Sequence, residues 1–220
     1  MIDFKKARKT MVVSQIETFG VNVRDILDTF SLIPREAFLP EALASRAYMD
    51  EDIEIGQSQT LLAPAVHARM VQELNIKPAD IALCIGAGGG YAAAVLSPLC
   101  STVVMVEETP EMIATEEAAL HTLSLTNIVS FKGALTEGCP GHAPYDVIFV
   151  NGACAAEPIK LMHQLSIGGR LIYIHRPNPR VAGQAILIEK TSVENFSKTP
   201  VFDASVPYVK GFEPQPEFIF

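Results

Sequence analysis

Basic residues are in the minority in this 220-residue chain, which has 17 Lys and Arg against 25 Asp and Glu and a formal net charge of -8. Non-specific binding to nucleic acids depends on clusters of Lys and Arg that neutralise phosphates. A short basic run, Lys5, Lys6, Arg8 and Lys9, is typical of the solvated face of a helix. We therefore predict no nucleic-acid partner.

Cysteine spacing gives no pattern of a metal site or a disulfide framework. Cys84, Cys100, Cys139 and Cys154 form no C-x-x-C pair and have no histidines at matching spacing. Reduced thiols in a core are therefore expected. The N-terminal residues MIDFKKARKT lack an apolar signal segment, which predicts a cytoplasmic location.

Charged residues are missing from Ile81 to Val106, a stretch long enough for a membrane span. Four glycines, Pro98 and several Ser or Thr residues interrupt it. Strands buried on both faces of a parallel sheet also form continuous apolar runs. We interpret the stretch as strand, turn, helix and strand, and predict no membrane partner.

Short β-branched runs alternate with helical patterns after Pro78, which predicts an α/β fold. Parallel strands joined by right-handed helical crossovers form an open, doubly wound sheet. Runs near the C-terminus follow one another without a helix and predict an antiparallel edge. The predicted strands are 81–85, 103–106, 128–131, 146–150, 170–174, 185–189, 202–209 and 218–220, and the predicted helices are 91–96, 111–123 and 158–165.

The N-terminal third is predicted to be mainly helical. Apolar spacing in 4–31 indicates two short helices broken near Gly20, the prolines of 34–40 indicate turns, and 62–74 indicates another helix. The length and apolar content fit a single domain, 1–220. In that domain we expect residues 1–79 to cover a pocket and residues 80–220 to form the α/β core.

Four glycines between Gly86 and Gly90 directly follow the first core strand. Glycine lets the backbone turn sharply and approach a ligand, and the helix start behind the turn offers free N–H groups. At the carboxyl edge of a parallel sheet this pattern predicts a nucleotide cleft. A tight turn that binds nothing is the alternative.

The glycine spacing distinguishes two classes of nucleotide. A dinucleotide fingerprint is G-x-G-x-x-G, whereas here the third glycine falls one place early and Tyr91 stands at the expected position. The G-x-G-x-G form is that of methyltransferases that use S-adenosylmethionine (SAM), which disfavours a nicotinamide oxidoreductase. Glu107, at the end of the second core strand, suits a ribose diol in either class; its alternative is a solvated loop carboxylate.

Several longer strings are more specific than the glycines. They are Ile33-Pro34-Arg35-Glu36 with Phe38-Leu39-Pro40, Gln59-Thr60 with Ala63-Pro64 and His67, IGAGGGYAAAVL, His142 to Asp146, and Gly168-Gly169-Arg170-Leu171. With these strings the chain resembles the protein L-isoaspartate O-methyltransferase family, most clearly from Met11 to Arg170.

The resemblance implies a Rossmann-like SAM-dependent fold and methylation of the free α-carboxylate of L-isoaspartyl residues in damaged proteins. That carboxylate is ionised at neutral pH, so methyl transfer needs alignment rather than a general base. His67 lies on an apolar helix face, where a structural histidine is more common than a pocket residue. The resemblance assigns Gln59, Thr60 and the Leu62 position to catalysis, and Gly86, Ala87, Gly88, Gly90, Glu107, Glu108, Ala134 and Leu135 to the cofactor.

Three positions depart from the family pattern. Leu62 stands where the family has a serine, Cys84 where it has an acid facing the methionine ammonium, and Ala134 where it has the aspartate that binds adenine. Losing the last two hydrogen bonds would cost roughly 2–4.5 kcal/mol. Glu108 and Glu137 are near enough in sequence to replace the missing acid. The alternative hypothesis is a diverged member that serves as a non-catalytic binding module with weak or no SAM binding.

Overall fold

The computed structural model describes residues 2–215, which form a seven-stranded sheet, a two-stranded hairpin and helices on both faces of the sheet. The strands are β1 Ile53–Gly56, β2 Gln59–Leu61, β3 Ile81–Ile85, β4 Thr102–Glu107, β5 Ile128–Lys132, β6 Tyr145–Cys154, β7 Leu165–His175, β8 Gln184–Lys190 and β9 Phe196–Asp203. The α-helices are α1 Phe4–Met11, α2 Arg24–Leu32, α3 Pro64–Glu73, α4 Tyr91–Leu96, α5 Pro110–Thr122 and α6 Ile159–Met162.

The sheet is doubly wound and has an antiparallel edge, which confirms the predicted fold class. The strand order in the sheet is β5-β4-β3-β6-β7-β8-β9. The first five strands in this order are parallel to one another, whereas β8 is antiparallel to β7 and β9 is antiparallel to β8. The chain order reverses on either side of β3. Ligands of open α/β sheets bind at such a reversal, beyond the carboxyl ends of the strands.

The core lies on both faces of this sheet because successive strand residues point to opposite sides. Ala82 and Cys84 join the apolar cluster under the N-terminal helices, α3 and α4. Leu83 and Ile85 join the opposite cluster, which includes Leu161 of α6. This double burial explains the uncharged run in the sequence.

The N-terminal third has the predicted helices and turns. α1 continues as a π-helical turn, Val12–Ile16, and the chain reverses at Gly20, whose φ is +89°, before α2. The proline-rich connection forms two 3-10 turns, Arg35–Phe38 and Glu41–Arg46. α3 begins with Pro64, whose missing N–H costs nothing in the first helical turn.

The sequence-based prediction was wrong at three places. The β1–β2 hairpin was missed, and its two turn residues, Gln57 and Ser58, have positive φ without being glycine. The last described strand is β9, not 202–209, because its pairing with β8 ends at Asp203. α6 has a single turn because Leu165 already pairs in β7. The predicted strand 218–220 lies outside the described residues.

Within residues 2–215, no helix is both long and apolar enough to cross a bilayer. The same part of the chain contains no group of three His, Cys, Asp or Glu side chains placed to hold a metal ion. All four cysteines are free thiols.

Candidate active site

The glycine bend joins β3 to α4 at the carboxyl edge of the sheet. The four glycines from Gly86 to Gly90 have φ between +59° and +92°, a region that residues with a β-carbon rarely adopt. A β-carbon on Gly88 would lie 2.5 Å from the carbonyl oxygen of Thr60 and 2.9 Å from Nδ2 of Asn151. The bend is thus held closely against β2 and β6, and its shape requires glycine.

Glu107 ends β4 beside the bend and is fully buried. Its Oε1 accepts a hydrogen bond from the N–H of Ala87 at 2.8 Å. Its Oε2 has no hydrogen-bond partner among the described residues. Burial raises the pKa of this carboxyl above the ordinary glutamate value. A buried acceptor without a donor is costly in a finished core and typical of a site that a ligand completes.

Glu116 on α5 is a second buried acid at the same place, and the sequence analysis missed it. Its Cβ lies 3.3 Å from where a β-carbon on Gly90 would be. Its Oε1 accepts a hydrogen bond from Nε2 of Gln59 at 2.6 Å. Glu116 is one member of a buried stripe with Met112 and Leu120. The sequence signal that could have identified Glu116 is its position four residues from Met112 and four from Leu120, within the apolar face of a helix.

The segment from Gln59 to Leu62 divides between the site and the core. Gln59 and Thr60 line a cavity beside Glu107. Leu62 is fully buried in the apolar cluster, and its carbonyl oxygen accepts a hydrogen bond from Nη2 of Arg35 at 2.6 Å. Of the three predicted catalytic positions, the structure therefore brings two to the cavity and places Leu62 in the core.

The cavity at the carboxyl edge has a volume of about 20 Å³. One water molecule needs roughly 10–15 Å³, whereas small-molecule sites have roughly 300–1,000 Å³. Of the predicted cofactor residues, Gly86, Glu107, Glu108 and Leu135 line it. Ala87, Gly88 and Gly90 lie within the bend, and Ala134 is exposed beside Leu135.

A C-terminal strap, residues 206–212, covers the cavity from the side of β6. The N–H of Val209 donates to the carbonyl oxygen of Ala153 at 3.0 Å. Lys210 pairs with Glu108 at 2.7 Å. Glu108 thus lines the cavity with its carboxylate paired to a surface lysine, and its replacement of the acid that the family has at position 84 stays a prediction. Sequence analysis missed the strap, since it predicted a strand there.

The acids that act on Cys84 lie on β4 and α5. Glu137, one of the two acids considered from the sequence, is exposed and pairs with Lys160 at 2.5 Å. Cys84 is fully buried, and its burial, with the charges of Glu107 and Glu116, raises the pKa of its thiol well above the ordinary value. The buried acids at this end of β3 are therefore Glu107 and Glu116.

His67 belongs to the core. It is buried, and its ring stacks on Phe149 with 5.1 Å between the centroids. Burial lowers the pKa of the imidazole to about 3, so the ring is neutral. His67 does not line the cavity, and the structural role is the one that its surroundings support.

The known proteins to which this chain is similar are named for a single activity. A family model described as protein-L-isoaspartate (D-aspartate) O-methyltransferase matches residues 7–209. A protein-L-isoaspartate O-methyltransferase from Roseiflexus sp. (strain RS-1) is 39% identical over 171 residues, 78% of each chain. A protein-L-isoaspartate O-methyltransferase 1 from Syntrophobacter fumaroxidans is 35% identical over 189 residues, 86% of this chain and 87% of that protein.

Solved structures agree with this result. One named protein-L-isoaspartate O-methyltransferase superposes with a TM-score of 0.80 at 25% identity, covering 96% of this chain and 67% of the other. A Plasmodium falciparum protein solved in complex with S-adenosyl-L-homocysteine has a TM-score of 0.77 at 19% identity, covering 92% and 98%, and shares the fold. The resemblance seen in the sequence is confirmed: the chain belongs to the protein-L-isoaspartate (D-aspartate) O-methyltransferase family.

Proposed function

We propose that this chain is a SAM-dependent carboxyl methyltransferase that acts on L-isoaspartyl residues of damaged proteins in the cytoplasm. The observation that carries the proposal is a buried acid with an unpartnered oxygen, Glu107, beside a glycine bend in a chain that matches the family from residue 7 to 209. Four free thiols support a reducing compartment.

The groups at the carboxyl edge fit the cofactor in chemistry. The free Oε2 of Glu107 can accept a hydrogen bond from a ribose hydroxyl, and Leu135 and Met112 offer apolar contacts beside it. A cavity of about 20 Å³ is too small for a nucleoside. Binding therefore requires the β1–β2 hairpin or the C-terminal strap to move outward, and residues 1–79 act as the cover of the pocket.

The residues of this chain contribute alignment and the exclusion of water. SAM, when bound, supplies a methyl group made reactive by a sulfonium. Glu107 would hold the ribose, and Thr60, which lines the cavity two positions before Leu62, would offer a hydroxyl in place of the family serine. The substrate carboxylate is ionised at neutral pH, so no side chain has to remove a proton from it. Enclosure by the hairpin and strap keeps water from the reacting groups.

Incubation with tritiated SAM and an isoaspartyl peptide tests the proposal. We expect a methyl ester on this peptide and none on the same peptide with ordinary aspartate. Gly141→Ala is a matched control, because a β-carbon there would meet no atom within 4 Å. Absence of ester at saturating SAM, with both the wild type and this control, would overturn the proposal.

A binding module that does not use SAM is the second candidate function. The observation that favours it is the closed cavity together with Cys84, Ala134 and the core position of Leu62. Isothermal titration with S-adenosylhomocysteine separates the two candidates. Saturable binding supports the methyltransferase, whereas its absence favours the module.

A further inference from the structure

A glutamate in the buried stripe of α5 calls for an explanation. Glu116 is 1% exposed and lies between Met112 and Leu120, one helical turn from each. Lys and Glu are almost never buried without a partner. Burial, and then the charge of Glu107, raises the pKa of Glu116 above the ordinary glutamate value. The folded protein therefore keeps a proton on this carboxyl to higher pH than the unfolded chain does.

The two carboxyl groups are arranged to share that proton. Each has one oxygen with an ordinary donor: Ala87 N–H for Glu107 and Gln59 Nε2 for Glu116. The second oxygen of each is buried and has no partner in the described part of the chain. Both side chains lie against the glycine bend: Glu107 accepts from the N–H of Ala87, and the Cβ of Glu116 is 3.3 Å from where a β-carbon on Gly90 would be. A single proton between them satisfies both oxygens.

Apart from Lys210, which lines the same cavity as Glu107 and pairs with Glu108, the surroundings of the pair are acidic or neutral. From α5 the charge of Glu117 acts on Glu116, and from the end of β4 the charge of Glu108 acts on Glu107. Cys84 faces both acids from β3, and Gln59 faces them from β2. On β5, Lys132 pairs with Glu107 in backbone register, but its side chain is exposed. The pair therefore gains most from a ligand that brings its own donors.

Access to the pair exists from two sides. Glu107 lines the cavity of about 20 Å³ already described. Glu116 lines a second cavity of about 280 Å³, between α5 and the proline-rich connection. Gln57, Gln59 and Met112 line both cavities and therefore lie between them. Outward movement of the hairpin joins the cavities into a space at the lower end of the range for small-molecule sites, roughly 300–1,000 Å³.

We propose that Glu116 is a cofactor-binding residue: it shares one proton with Glu107 in the free protein, and this proton passes to water when the hydroxyl groups of a bound ribose donate to the two carboxylates. This inference rests on the proposed use of SAM. It also gives a reason for the thiol at position 84, because a third carboxylate there would face the pair.

Calorimetric titration with SAM at pH 7 in two buffers of different ionisation enthalpy measures the protons released. We expect the wild type to release about one proton and to bind about tenfold more tightly for each pH unit between 6 and 8. Glu116→Gln should release none, should lose this pH dependence, and should bind at least about tenfold more weakly at pH 8. Glu111→Gln, on the same helix and exposed, should behave as the wild type.

Urea unfolding of the same three proteins tests the shared proton without any ligand. The folded protein keeps a proton that the unfolded chain loses above the ordinary glutamate pKa, so wild-type stability should fall as pH rises from 5 to 9. The unfolding equilibrium constant should rise by up to about tenfold for each pH unit. In Glu116→Gln this contribution should vanish, and the variant should be more stable than the wild type at pH 8.

The outcomes separate the two proposals. SAM binding by the wild type without proton release, or with release that Glu116→Gln retains, overturns the inference and leaves the methyltransferase standing. A failure of all three proteins to bind SAM overturns the proposed function, and the inference with it. Proton release that disappears only in Glu116→Gln supports both.

Discussion

The two edges of the sheet differ in how their polar side chains are satisfied. At the amino edge, Arg170 donates to Asp80 at 2.6 Å and to the carbonyl oxygens of Leu74 and Asn75. Asp80 also accepts from the N–H of Lys77 at 2.9 Å. Nearby, Asn127 donates to three carbonyl oxygens. These hydrogen bonds satisfy the polar groups around the first residues of the strands, so this edge has a structural role.

At the carboxyl edge several buried acceptors have no donor. One oxygen each of Glu107, Glu116 and Asn151 is buried without a partner, as far as residues 2–215 show. Burying such groups costs about 1–3 kcal/mol each. A ligand with hydrogen-bond donors at the carboxyl edge would remove this cost, whereas the polar groups of the amino edge already have partners within the protein.

The largest effect should come from breaking the structural edge. Arg170→Met keeps most of the side-chain volume but leaves Asp80 without its cation, so we expect a loss of about 3 kcal/mol in the free energy of unfolding. Urea denaturation measures it. Arg24→Met is the control, since its pair with Asp28 is 83% and 57% exposed and should contribute under about 0.5 kcal/mol. Equal losses in both variants would remove the contrast between the edges.

Gly88→Ala should disturb the carboxyl edge of the sheet. Its β-carbon would press on the Thr60 carbonyl at 2.5 Å in a backbone conformation with φ of +59°, so we expect about 2 kcal/mol of destabilisation together with loss of SAM binding. Thermal shift with and without SAM measures both. Gly141→Ala should change neither, and a Gly88→Ala protein that binds SAM normally would contradict the account.

Glu107→Gln should weaken SAM binding by about ten- to a hundredfold, because hydrogen bonds to a charged acceptor contribute about 1.5–3 kcal/mol. Its unfolding free energy should change much less, since the amide keeps the volume of the side chain. Titration calorimetry gives the affinity and urea denaturation the stability. A variant with unchanged affinity would mean that the free oxygen does not face the cofactor.

The smallest effect is expected at the strap. Lys210→Ala removes an ion pair with Glu108 whose side chains are 53% and 24% exposed, so stability should change by under about 1 kcal/mol. We expect faster association of SAM because the strap opens more readily. Stopped-flow fluorescence in low and high salt checks this, since salt should produce the same increase in the wild type. An association rate independent of both changes would argue against movement of the strap.

Much of the fold could be predicted from the sequence because each parallel strand is a short apolar run between turn residues. The run 81–85 and the glycines after it give β3 and its bend, and the alternation with helices gives the parallel order. Glu107 was predicted at its strand end for the same reason. These features depend on local pattern, which the chain displays directly.

What could not be predicted depends on contacts between distant segments. Gln57 and Ser58 turn the β1–β2 hairpin with positive φ, although neither is a typical residue for that turn. The strap reaches Ala153 from more than fifty positions away. The position of Glu116 in the apolar stripe of α5 indicates burial, but its place beside the glycine bend appears only once α5 is packed against the sheet. In each case tertiary packing overrides local preference.

The most direct test of cofactor binding at the carboxyl edge is a crystal structure of the protein with S-adenosylhomocysteine. We expect ribose hydroxyls on the free oxygens of Glu107 and Glu116, an outward shift of Gln59, and an unchanged Arg170–Asp80 pair. A structure in which Gln59 and Val209 still cover the bend, with the nucleoside bound elsewhere or not at all, would contradict it.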